Sequence, residues 1–221
     1  MGDMNNFIYD IAVWAIPVVL AITLHEAAHG YVARMFGDPT AYLMGRITLN
    51  PLKHVDPVGT LLVPGGIVLM NAITGAGFPP FGWAKPVPVD FGRLRHPKAD
   101  MLWVAAAGPA SNFAQAIVWA ALFGLIIRMQ GSSDSFWFDL AQRGMLVNVG
   151  LMLINLVPVP PLDGGRIVVS LLPIRQAIAW SRLEPYGFFI LIGLLYFGVL
   201  DYVLRYVARP ILSFLMLFAG I

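Results

Sequence analysis

The chain has 221 residues, 58% of them hydrophobic and 12% charged, and a mean hydropathy of +0.75. These values exclude an ordinary soluble domain and imply one all-α polytopic membrane protein over residues 1–221. The formal charge of +2 and pI near 9.0 come from scattered Lys and Arg, so nucleic acid is excluded as a partner and the lipid bilayer remains. With no cysteine, disulfides and thiolate metal sites are also excluded, and any metal must be held by nitrogen and oxygen.

Five stretches read as membrane-embedded: Phe7 to Phe36, Val58 to Phe78, Met101 to Met129, Leu146 to Leu172 and Tyr186 to Val207. Pro210 to Ile221 then reads as a short closing segment, which gives five to six segments in all. No Lys or Arg precedes Arg34, the wrong pattern for a cleavable signal peptide, so the first stretch is expected to stay in the mature protein.

That first stretch contains His25-Glu26-Ala27-Ala28-His29. Ionisable groups at membrane depth are costly and usually mark function. On a helix, residues four apart share a face, so His25 and His29 point at one ion, and Glu26 beside them can take a proton from a water polarised by it. The residues therefore suggest a zinc hydrolase within a membrane, with a buried histidine pair as the plain structural alternative.

The second stretch is interrupted by Pro64-Gly65-Gly66 and by Gly75 and Gly77, which favours a broken or re-entrant path. Arg34, Arg46 and Lys53 precede it, and Lys85, Arg93, Arg95 and Lys98 follow it. If both loops are cytoplasmic, Arg166, Arg175 and Arg182 fall on the same side, and the segment enters and leaves there. Gly45 to Asn50 and Trp83 to Val89 carry β-branched residues and prolines without helical periodicity. They read either as short edge strands, to which a substrate strand could add, or as connecting loops.

A catalytic zinc takes three protein ligands, so His25 and His29 need a partner. The position six residues past His29 is Met35, which excludes a third histidine of the metzincin kind. The only other glutamate, Glu184, lies between Arg182 and Pro185 in a connecting segment. Asp163 sits in an apolar stretch, Asn155-Leu-Val-Pro-Val-Pro-Pro-Leu-Asp-Gly-Gly-Arg166, where prolines break the incoming helix and Gly164-Gly165 permits close approach. It is the expected third ligand, and a helix cap is its structural alternative. His54 and His96 lie in polar, proline-containing loops and need no special role.

Taken together, His25-Glu-Ala-Ala-His29, Ala107-Gly-Pro-Ala-Ser-Asn112, and Asn155 eight residues ahead of Asp163 resemble the site-2 protease family of intramembrane zinc metallopeptidases. The resemblance spans about Phe7 to Leu172, and no other stretch is long or polar enough for a PDZ or CBS domain. It implies a three-helix catalytic core over residues 7–172, followed by C-terminal helices over 173–221. It also implies one Zn2+ per chain held by His25, His29 and Asp163, with Glu26 as catalytic acid/base.

The resemblance further implies a cytoplasm-facing site in a prokaryotic inner membrane and a transmembrane protein or peptide as substrate. It points to Asn155, and less directly Asn112, as donors to a developing oxyanion. For Asn112 a packing role on the small-residue surface Gly108 to Ser111 stands beside that reading. A membrane zinc transporter or sensor without proteolysis is the alternative from another class; it would not need Glu26 for chemistry.

Overall fold

Apolar residues surround α1 (Gly2–Met35) and α4 (Pro97–Gln130) on all sides instead of forming one stripe, as expected of helices set among lipid and protein. At 34 residues each, both exceed the roughly 20 needed to cross a bilayer. Between them lie the short helix α2 (Thr40–Leu43), a wide turn at Pro57–Leu62 and α3 (Val63–Thr74). After α4 come α5 (Phe136–Asn155), α6 (Asp163–Leu171), α7 (Ile174–Ser181), α8 (Gly187–Tyr196) and α9 (Val199–Ala219). This computed structural model describes residues 2–75, 82–130 and 135–221, with backbone alone at 2–7, 61, 72, 130 and 201.

The helices α1, α4 and α5 pack on one another, with α6 and α9 against α4. Small side chains let them approach: Ala21, Ala116 and Ala120 are wholly buried, and a Cβ at Gly144 would overlap the ring of Trp119. Met145, Val149, Met152 and Leu153 of α5 fill the space between α4 and Leu215 and Ala219 of α9. One face of helix α5 is thus buried in protein.

Four segments among the described residues are long and apolar enough to cross a membrane: Ile8–Met35, Pro97–Met129, Ile174–Tyr196 and Tyr202–Ala219. This differs from the expected five to six. Leu146 to Leu172 is not one stretch, because the chain leaves α5 at Leu156 and begins α6 at Asp163. Tyr186 to Val207 is divided at Gly198, whose φ of +70° is open to glycine at little cost. Helix α9 then runs through Pro210, so Pro210 to Ile221 is no separate segment. A proline inside a membrane helix is tolerated where neighbours meet the freed carbonyl.

The second apolar stretch is helical from Pro57 to Thr74, without the break expected at Pro64-Gly65-Gly66. Pro64 cannot donate in this run, and the carbonyl next in line, Gly59 O, accepts instead from Trp83 N at 3.0 Å. Its apolar part, Pro57–Asn71, is short for a span, and Gly77 and Phe78 lie outside the described residues.

No strand forms among the described residues. Gly45 to Asn50 is a series of turns, and Trp83 to Val89 is an extended strap without a paired neighbour. The strap's N–H groups at Trp83, Lys85 and Val87 donate to Gly59 O, His54 O and Glu26 Oε2 at 3.0, 2.9 and 2.7 Å. The intervening positions 86 and 88 are prolines. Because alternate N–H groups of an extended chain face opposite sides, the other edge has no donors at these two positions. It is therefore a poor template for an added strand.

Arg46 secures the strap by donating from Nη2 to Lys85 O and Pro86 O. Asp38 secures its far end. That buried carboxylate accepts from Thr40 N and Thr40 Oγ1 on one oxygen and from Asp90 N at 2.8 Å on the other. Burial pushes the Asp38 carboxyl up, but these donors outweigh it and hold it below the usual carboxylate range. Asp38→Ala is expected to lower stability by roughly 1.5–3 kcal/mol near neutral pH, measured by denaturation in detergent. Because the folded-state value is depressed, the contribution is complete above the ordinary carboxylate range. It is lost as pH falls through the lower folded value.

Candidate metal centre

Three side chains from two distant parts of the chain meet between α1, α4 and α6. His25 and His29 stand one turn apart on α1, with their Nε2 atoms 3.0 Å from each other. Asp163 Oδ2 lies 3.2 Å from His25 Nε2 and 3.4 Å from His29 Nε2. Asp163 is the first residue of α6 and makes no capping bond there. The turn that presents it is tight: a Cβ at Gly164 would overlap the carbonyls of Leu156 and Val157, and one at Gly165 would overlap Pro160. A helix with side chains at those two positions could not sit so close to the preceding loop.

The far nitrogens of the imidazoles decide what faces inward. His29 Nδ1 is 2.7 Å from Val104 O, which can only accept, so His29 carries its proton on Nδ1 and leaves Nε2 as a lone pair. His25 Nδ1 is 2.6 Å from Asn112 Oδ1, also an acceptor, with the same result. With both rings neutral, two imidazole lone pairs and a carboxylate oxygen converge with no donor among them, and Asp163 Oδ2 is buried without a hydrogen-bond partner. A cation is what such an arrangement fits.

Among the described residues these three form the one group of His, Asp or Glu side chains able to hold a metal, their ligand atoms all within 4.8 Å of one another. Two nitrogens and one oxygen, with the fourth side open to a cavity, are donors of the kind used by a catalytic zinc. Gly108 of α4 makes room for them, since a Cβ there would overlap both Nε2 atoms.

The cavity beside the cluster encloses about 150 Å³ and is lined by Glu26, Val87, Val104, Asn155 and Arg166 as well as the three candidate ligands. Glu26 Oε2 accepts the Val87 N–H, which leaves Oε1 for other partners. Asn155, at the end of α5, donates from Nδ2 to Leu151 O at 3.0 Å and keeps a second amide hydrogen. Arg166 lies over the Phe91 ring, 5.2 Å from its centre, and 4.0 Å from Glu184 Oε1.

The remaining residues considered from sequence fall elsewhere. Asn112 does not line the cavity. It is wholly buried behind His25, with Oδ1 on that ring and Nδ2 donating to Asn148 Oδ1, so its side chain is directed to the packing side. His54 is buried, with Nε2 3.1 Å from Thr48 O, and is not in the cluster. His96 is exposed, and Glu184 faces Arg166. Sequence reasoning placed Gly108 on a small-residue packing surface but not against the two histidines, and it did not find Val87 as a donor to Glu26 or Arg166 as a wall of the cavity. For Arg166 a signal existed in its position three residues past Asp163, one helical turn along α6.

The description "Peptidase family M50" applies to residues 13–131 and 124–198, in two overlapping matches. YwhC of Bacillus subtilis (strain 168), provisionally named a zinc metalloprotease, is 36% identical over 193 residues, covering 86% of this chain and 82% of that protein. Rip2 of Mycolicibacterium smegmatis, with the same provisional name, is 35% identical over 197 residues, covering 88% of this chain and 69% of its own. Zinc metalloprotease MJ0392 of Methanocaldococcus jannaschii is 27% identical over 175 residues, covering 78% of this chain and 38% of its own. No solved structure matches the chain significantly. The family match, these relatives and a His-His-Asp group fit for zinc agree, and the chain belongs to peptidase family M50, the site-2 protease family, as a zinc metalloprotease.

Proposed function

We propose that the chain is an intramembrane endopeptidase that hydrolyses peptide bonds within or near transmembrane segments, in the manner of regulated intramembrane proteolysis. The observation that carries this reading is the convergence of three buried acceptor atoms on one point beside Glu26, on helices suited to a membrane. His25, His29 and Asp163 would hold the zinc, which supplies Lewis acidity for a peptide carbonyl and makes a nearby water easier to deprotonate.

The chain's own residues supply the proton chemistry. Glu26 Oε1 takes a proton from the attacking water as its oxygen bonds to the carbonyl carbon. The same oxygen returns the proton to the amide nitrogen as the carbon–nitrogen bond breaks. The Val87 N–H on Oε2 holds the carboxylate so that Oε1 is the free oxygen. The second amide hydrogen of Asn155 is a donor for the charge that develops on the carbonyl oxygen. Asn112 acts from behind, by holding His25.

A transmembrane helix hides its carbonyls in its own hydrogen bonds, so a substrate must unwind locally before it reaches Glu26. Segments weakened by Gly or Pro are the expected substrates. Residues 1–221 act as one membrane domain, with a catalytic core over about 7–172 and supporting helices over 173–221. Helix α5, although too polar to count as a lipid-facing span, is 20 residues long, enough for about 30 Å, and crosses within the protein. The basic loops favour a cavity that opens toward the cytoplasm, and the family resemblance favours a prokaryotic inner membrane as its setting.

The test is metal analysis of protein purified in detergent, paired with cleavage of a transmembrane segment with and without its Gly or Pro. Wild type is expected to hold one zinc per chain and to cleave the weakened segment faster. Asp163→Ala should lose stoichiometric zinc and cleavage together. Full zinc in Asp163→Ala, or equal cleavage of the segment with and without its Gly or Pro, contradicts the reading.

A further inference from the structure

We propose that Asn148 is a positioning residue of the metal centre: it fixes which end of the Asn112 amide faces His25, and thereby which nitrogen of His25 is free to bind zinc. The proposal rests on His25 being a zinc ligand, as set out above. An asparagine amide changes little in shape when it flips, but its two ends have opposite hydrogen-bonding character. With Oδ1 toward His25, the ring is protonated on Nδ1 and Nε2 is a ligand. With Nδ2 toward His25, the proton moves to Nε2 and that ligand is lost.

Asn112 and Asn148 are both fully buried, so protein groups decide the choice. The order begins at Gly144 O, a carbonyl that can only accept, 2.9 Å from Asn148 Nδ2. This turns Asn148 Oδ1 toward Asn112 Nδ2 at 3.0 Å, and Ala21 O at 3.4 Å lies on the same side. Asn112 Oδ1 is then left for His25 Nδ1 at 2.6 Å. Flipping Asn112 would set its oxygen against that of Asn148 between two fully buried side chains, an unfavourable contact. His29 has no such ambiguity, because Val104 O meets its Nδ1 directly.

The experiment measures zinc affinity of the full chain in detergent by competition with a chromophoric chelator, for Asn148→Ala, Asn112→Asp and the double variant. A carboxylate at 112 accepts from His25 whichever way it turns, so it has no end for Asn148 to select. Asn148→Ala is expected to weaken zinc binding by about 10–100-fold. In the Asn112→Asp background the same change is expected to cost no more than about twofold. A structural role alone would give equal losses in both backgrounds; that result, or unchanged affinity in Asn148→Ala, overturns the proposal.

Should Asn148→Ala not fold, Asn148→Asp, which when protonated donates to Gly144 O and keeps the acceptor for Asn112, is expected near wild-type affinity while Asn112→Leu loses about 10–100-fold. Any other pattern overturns the proposal. Unchanged zinc affinity in His25→Ala would defeat the ligand assignment and this proposal with it. Loss in His25→Ala without loss in Asn148→Ala defeats this proposal alone.

Discussion

Glu26→Gln is expected to keep one zinc per chain and to lower the rate of peptide cleavage by about 10²–10⁴-fold. The side chain lines the cavity beside the candidate ligands without being one of them, and its only assigned bond is to Val87 N. Glutamine is nearly the same size and retains an oxygen for the Val87 N–H, so the fold and the strap should persist. What it loses is the ability to take a proton and return it. Zinc content and cleavage must therefore separate in this variant, whereas they fall together in Asp163→Ala. A Glu26→Gln protein that cleaves at a wild-type rate would remove Glu26 from the chemistry.

Gly108→Ala is expected to displace the metal altogether. One added methyl group on α4 meets Nε2 of both His25 and His29, the two atoms that face the candidate ion. Neither ring can swing aside freely, since Asn112 Oδ1 and Val104 O hold their far sides. The loss of zinc affinity should exceed the roughly 10–100-fold typical of removing a bond behind a ligand. Gly150→Ala is the control: nothing lies within 4 Å of a Cβ there, and it should keep zinc and activity. On helix propensity alone that change favours stability by about 0.5–1 kcal/mol. Zinc competition on the two variants tests whether space, and not the glycine backbone, is what Gly108 provides.

Spacing alone pairs His25 with His29, because a helix repeats its face every four residues. Asp163 stands out as the partner because, among the aspartates of a chain without cysteine, it lies inside an apolar stretch remote from other charge. What sequence could not reveal depends on how helices rotate against each other. Asn112 lies four residues beyond Gly108, so both lie on the α1 side of α4. Yet only the packed structure decides whether the amide reaches the cavity or the rear of His25.

The donor on Glu26 is a backbone N–H of Val87, a group every residue but proline carries, and nothing in the side chain marks it. Hydropathy likewise undervalues α5. It measures fitness for lipid, while Asn148 and its neighbours are surrounded by α1, α4 and α9. The strand expectation failed at Pro86 and Pro88, which leave one edge of the extended strap without donors at two successive positions. The helix break expected at Pro210 occurs instead at Gly198, whose left-handed φ of +70° glycine adopts at little cost.

Zinc K-edge X-ray absorption of the purified protein tests the coordination most directly. The expected spectrum contains two imidazole shells at about 2.0–2.1 Å and one or two oxygens at about 2.0–2.2 Å. Asp163→Ala should lose the stoichiometric zinc signal, and any residual zinc should lack one oxygen. A spectrum with fewer than two imidazoles, or one that Asp163→Ala leaves unaltered, would contradict a centre built from His25, His29 and Asp163.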